Sequence, residues 1–105
     1  GEEDLCSEWR AVIESADTLL LQREIPTKIA VLAARYARSQ NCKVVLEVGN
    51  SAKYCDRQLL ENVDVYVPNA AKVQELSKAS KSSPTDVIAY WQNDYPGMDV
   101  LYQGE

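Results

Sequence analysis

The chain has 105 residues, 46% hydrophobic and 26% charged, with a formal net charge of -5 and no histidine. That length holds one compact domain, residues 1–105, and the balance is that of a folded globular chain and not of a disordered one. The missing imidazoles exclude Ser-His-Asp and Cys-His catalysis and every zinc site built on histidine.

The charge is unevenly placed. Residues 1–17 carry six acids (Glu2, Glu3, Asp4, Glu8, Glu14 and Asp17) against Arg10 alone, so the remainder of the chain is balanced. A nucleic-acid surface needs a basic stripe, which this sequence lacks. The acids read as the solvated side of a first helix. No apolar run approaches the roughly 18 residues of a membrane-spanning helix, and no basic-then-apolar leader opens the sequence. Neither a nucleic acid nor a membrane is expected as a partner. Cys6, Cys42 and Cys55 are odd in number and form no C-x-x-C pair. They read as small buried hydrophobes in a reducing, cytoplasmic setting, with neither a disulfide framework nor a zinc site.

In chain order, residues 5–15 place Leu5, Trp9, Val12 and Ile13 at spacings of three and four, which predicts one buried helix face. Residues 18–21 are a short apolar run. Pro26 opens a second helix, whose stripe is Ile29, Leu32, Ala33, Tyr36 and Ala37 and whose end is Gln40-Asn41. Residues 43–46 form a second apolar run, followed by a polar loop at 49–53 and a short helix around residues 57–60. Residues 63–67 form a third run, rich in β-branched side chains. Asn69 is a predicted N-cap for a helix containing Val73 and Leu76. Ser83-Pro84-Thr85-Asp86 has the pattern of a capped helix start, and Val87, Ile88 and Trp91 supply that helix's apolar face. Asp94-Tyr95-Pro96-Gly97 is a turn before a fourth strand at residues 98–102.

Apolar strands that alternate with helices predict an α/β fold: a mostly parallel sheet of about four strands, covered on both faces. In such a sheet, ligands bind beyond the carboxyl ends of the strands. Those positions are Gln22, Arg23 and Glu24, then Glu47, Asn50 and Ser51, then Asn69, and finally Gln103, Gly104 and Glu105. The edge is polar and rich in carboxylates, which suits a ligand that carries hydroxyls. With four glycines in all, the sequence contains neither a G-x-x-x-x-G-K-[ST] phosphate loop nor a G-x-G-x-x-G fingerprint.

Residues 18–26 (TLLLQREIP), 43–51 and 62–76 (NVDVYVPNAAKVQEL) together resemble the central part of the ribokinase-like (PfkB family) sugar kinases. The resemblance runs over roughly residues 5–105. It implies ATP- and Mg2+-dependent transfer of a γ-phosphoryl group to a hydroxyl of a sugar or nucleoside. It implies that Glu24 hydrogen-bonds sugar hydroxyls, a role suited to an acceptor-only carboxylate. By the same resemblance, Asn69 lies near the nucleotide phosphates and Glu47 opens the loop after its strand on the nucleotide side. No residue of the chain is matched to a catalytic or metal-ligand position. The family's Gly-Ala-Gly-Asp segment, which supplies the anion-stabilising amides and the base, is not in the sequence, so the chain reads as a fragment of a longer kinase.

Lys72 departs from the pattern, because it stands where the family's N-x-x-E motif places a glutamate. That reversal keeps a second reading open, a ribokinase-like interaction or ligand-binding domain without kinase activity. A piece of this kind has open sheet edges, from which homodimer formation or aggregation is expected.

Overall fold

The computed structural model describes residues 5–22, 24–49 and 56–102. Its elements in order are α1 (Ser7–Glu14), β1 (Thr18–Gln22), α2 (Thr27–Ser39), β2 (Lys43–Glu47), α3 (Arg57–Leu60), β3 (Val65–Val67), α4 (Ala70–Ala79), α5 (Pro84–Asp94) and β4 (Asp99–Val100). The strands form one sheet in the order β1-β2-β3-β4, and each neighbouring pair is parallel. The predicted parallel α/β sheet is therefore present, with helices between its strands.

Local signals set the helix ends. At α5, the Ser83 side chain accepts from the Asp86 amide and the Asp86 carboxylate accepts from the Ser83 amide, both at 3.1 Å, with Pro84 in the first turn. Pro26 stands at the N-cap of α2, one residue earlier than expected. Helix α2 stops at Asn41, whose φ of 58° lets the Cys42 amide turn back to the Ala37 carbonyl at 2.8 Å. Helix α4 ends in the same way at Lys81, with φ of 55° and a 2.8 Å bond from the Ser82 amide to the Ser77 carbonyl.

Register aligns Leu19 with Val44, Leu21 with Leu46, and Leu46 with Tyr66, which makes one continuous apolar face. Against it pack Ile13 of α1, an alanine-rich side of α2 (Ala30, Ala33, Ala34 and Ala37), and Leu59 and Leu60 of α3. Trp91 of α5 meets the Tyr66 ring edge-on at 5.3 Å. Small side chains on α2 let that helix approach the strands closely.

The expectation of a sheet covered on both faces is not met among the described residues. β1 alternates between exposed and buried positions, and Leu20 is 55% exposed, while Val45, Val65 and Val67 are half-buried. Right-handed crossovers between successive strands laid side by side put their helices on the same face, and that face is the one carrying Leu19, Val44 and Tyr66. The outer positions of β1 and β2 also include Thr18, Gln22, Lys43 and Glu47, a polar admixture consistent with exposure.

Other expectations change in detail. Val12 is 61% exposed, because the buried stripe of the first segment runs through Leu5, Trp9 and Ile13 at intervals of four. Cys6 is exposed at the N-cap of α1, not buried as expected. Cys42 is buried, and burial pushes its thiol pKa up, so it stays neutral. Cys55 lies outside the described residues. The fourth strand is shorter than expected, and Met98 is buried just before it.

At the amino-terminal edge of the sheet, Asp64 joins β2 to β3. Its Oδ2 accepts from the Val44 amide at 2.8 Å, and its Oδ1 lies 3.3 Å from the Arg38 guanidinium. Asp64→Ala leaves the buried Val44 without that acceptor and should cost about 1–3 kcal/mol in urea unfolding. Lys81→Gly should act in the opposite direction. It relieves a left-handed residue of its Cβ clash and should raise stability by about 1 kcal/mol in the same assay.

Candidate functional site

Parallel pairing brings the carboxyl ends of the strands to a common edge. Gln22, Glu47 and Val67 are aligned across β1, β2 and β3. With neighbouring strands about 4.8 Å apart, the backbones of Gln22 and Val67 stand about 10 Å from each other. The three candidate residues all leave the sheet at this edge. Glu24 lies two residues beyond β1 in the turn where the Ile25 amide bonds the Gln22 carbonyl at 3.2 Å. Glu47 is the last residue of β2, and Asn69 lies two residues beyond β3. Both glutamates are exposed and Asn69 is half-buried.

Each position has a local cause. The backbone after β2 stays paired for one residue beyond the strand, through a 3.2 Å bond from the Val48 amide to the Val67 carbonyl. It then turns at Gly49, whose φ of +54° is a conformation that glycine adopts without strain. At β3 the buried Pro68 leads into Asn69, whose Oδ1 accepts from the Lys72 amide at 3.1 Å and so caps α4. Capping occupies the oxygen and leaves the side-chain NH2 as its donor group.

The electrostatics differ along the edge. The β1 and β2 end carries two carboxylates, Glu24 and Glu47. The β3 end carries the N-terminus of α4, with its partial positive charge, and no acid in the first turn. Lys72 in that turn reaches Glu75, with Nζ 3.9 Å from the carboxylate. One end of the edge therefore carries acceptor carboxylates, and the other the partial positive charge of a helix N-terminus.

Among the described residues, clefts of about 320, 330, 340 and 480 Å³ open on other parts of the surface, away from Glu24, Glu47 and Asn69. The cleft of 480 Å³ lies between α2 and α3, with Lys28, Arg35 and Asp56 in its lining. Arg23, Asn50, Ser51, Gln103, Gly104 and Glu105, also expected at this edge, lie outside the described residues.

The expected Mg2+ finds no ready seat. Among the described residues no three His, Cys, Asp or Glu side chains gather as metal ligands, and the first turn of α4 offers Lys72 instead of an acid.

The apolar run marks Tyr102 only as the end of the fourth strand, yet its hydroxyl accepts from Gln74 Nε2 at 2.8 Å, just beyond β4 at the same edge. Its available signal was its place after an apolar strand in a parallel sheet, where side chains reach the ligand side. Among the described residues, no helix is long and apolar enough to cross a membrane.

No family profile matches the chain. Over 66 residues it is 30% identical to the ribokinase of Arabidopsis thaliana, a match that covers 63% of this chain and 17% of that protein. The structure of Arabidopsis ribokinase complexed with ribose and ATP matches with a TM-score of 0.77 and 23% identity, over 96% of this chain and 33% of the neighbour. A crystal structure of the protein Sa239 matches with a TM-score of 0.73 and 25% identity, over 92% of this chain and 32% of that one. The chain thus spans about a third of the length of these structural neighbours.

Proposed function

We propose that this chain, which is similar to ribokinase in sequence and in fold, supplies one edge of the substrate site of a longer, ATP-dependent sugar or nucleoside kinase. The observation that carries this reading is the shared edge: Glu24, Glu47 and Asn69 leave three adjacent parallel strands on the same side. The match to an Arabidopsis structure complexed with ribose and ATP supports the ligand classes. In this reading Glu24 accepts hydrogen bonds from sugar hydroxyls. Asn69 presents its NH2 to the phosphates beside the α4 N-terminus, and Glu47 borders the nucleotide side. These residues bind and orient, and positioning alone contributes heavily to phosphoryl transfer, where the protein does little covalent chemistry. In this reading the base that takes the hydroxyl proton comes from another part of the kinase. A cytoplasmic setting, where ATP is available and thiols stay reduced, fits this reading.

Lys72 supports a second reading, a ligand-binding or interaction domain without turnover, because it places a cation in the first turn of the helix that Asn69 caps. The two readings separate on ATP consumption by the longer protein with a panel of sugars, which only the kinase shows.

Binding calorimetry on the chain with ribose and with ATP tests the assignments. Glu24→Gln should weaken ribose binding about tenfold or more, the loss expected for a hydrogen bond to a charged group, and leave ATP binding unchanged. Asn69→Ser, which keeps a capping hydroxyl, should show the reverse pattern. Equal effects of both variants on both ligands, or ribose binding untouched by Glu24→Gln, would overturn the assignments.

A further inference from the structure

We propose that the hydrogen bond from Gln74 to Tyr102 is the strut that sets the orientation of α4, which makes both side chains positioning residues for Asn69. The functional weight of this inference rests on the reading of Asn69 as the phosphate-side residue; its structural content does not.

Helix α4 is attached to the body of the protein differently from α2. Its packing is chiefly along α5, and its fully buried Val73 stands outside the main core cluster. The backbone of Asn69 is placed by β3 and Pro68. The direction of its side chain depends on the cap bond to the Lys72 amide, and so on how the first turn of α4 is rotated. Gln74 lies five residues beyond Asn69, about 7.5 Å further along the helix axis. Its amide meets the Tyr102 hydroxyl at 2.8 Å in a part-buried contact. The second turn is further tied by the buried Ser77, whose hydroxyl donates to the Gln74 carbonyl at 2.8 Å.

Tyr102 is itself held by the sheet. The Leu101 amide donates to the Tyr66 carbonyl at 2.9 Å, which carries the β3–β4 pairing one residue past β4. The strut therefore runs from the strand-end edge of the sheet to the second turn of the helix whose cap is Asn69. A helix packed chiefly along another helix takes its orientation to the sheet from the polar contacts that cross to the strands, and this one does so.

Amide hydrogen exchange on the chain tests the strut without any substrate. Tyr102→Phe removes one hydroxyl, and Gln74→Leu removes the amide at similar volume. Each should speed exchange of the Lys72 amide by about five- to tenfold, the net worth of one hydrogen bond. The double variant should be no faster than the quicker single one, and the Ala34 amide in α2 should be unchanged. An unaltered Lys72 amide in Tyr102→Phe, effects that multiply in the double variant, or equal acceleration at Ala34 would overturn the proposal. If the kinase reading also holds, Tyr102→Phe raises KM for ATP and leaves KM for the sugar and kcat in place. Failure of that arm with the exchange result intact refutes the role of Asn69 and not the strut.

Discussion

Parallel pairing in an unbroken order is the constraint on which the rest of this structure depends. When β1, β2, β3 and β4 lie side by side and point the same way, every chain segment leaving a strand leaves at the same edge. Residues separated by more than twenty positions in sequence, such as Glu24 and Glu47, become neighbours in kind without touching. The same order explains why helices α1, α2, α3 and α5 contribute to one core and leave Leu20 exposed on the other face. An antiparallel arrangement of the same apolar runs would send alternate loops to opposite ends and separate the candidate residues by the length of a strand.

The edge that results is polar in two different ways. Carboxylates occupy the exits of β1 and β2, while the exit of β3 is a capped helix start with Lys72 in its first turn. A molecule that offers hydroxyls at one end and phosphate at the other would satisfy both halves. The proposed function draws on that asymmetry more than on any single residue. It also explains why Lys72 does not by itself argue against phosphate, since a cation beside a helix N-terminus adds to the field that an anion meets. What Lys72 does oppose is a metal ion held by protein at that same turn.

Much of this was legible in the sequence because the signals were local. The Ser83–Asp86 capping box, the Asn69 cap and the end of α2 at Asn41 depend on a few residues each, and all are found. The parallel sheet was read from apolar runs interleaved with helical patterns, and it is present. Where the reading departed from the structure, the deciding fact was tertiary. Leu20 looks like a core residue in the run TLLLQ, but register assigns Leu19 and Leu21 to the core and turns Leu20 outward. Val12 fits a helical stripe by spacing, yet the stripe that meets α2 lies one position away, at Ile13. The Gln74–Tyr102 bond joins residues 28 apart and has no local signature. The position of Glu24, Glu47 and Asn69 at one edge was legible, because each follows the end of an apolar run.

The segment from Val63 to Asn69 shows how a short motif divides its labour. Its aspartate, Asp64, and its asparagine, Asn69, are five residues apart, which in extended chain is about 16 Å, the span of β3 and its exits. Asp64 therefore works at the amino-terminal edge, where it binds the Val44 amide and faces Arg38. Asn69 works at the opposite edge, where it caps α4. The polar residue that fixes the strand pair is thus kept away from the edge proposed to meet ligand, and the residue at that edge carries no responsibility for register. Because β3 is only three residues long, the clamp at one end helps determine where the other end falls. The spacing between the two polar residues is then a consequence of strand length, and their chemistry follows from which edge each one reaches.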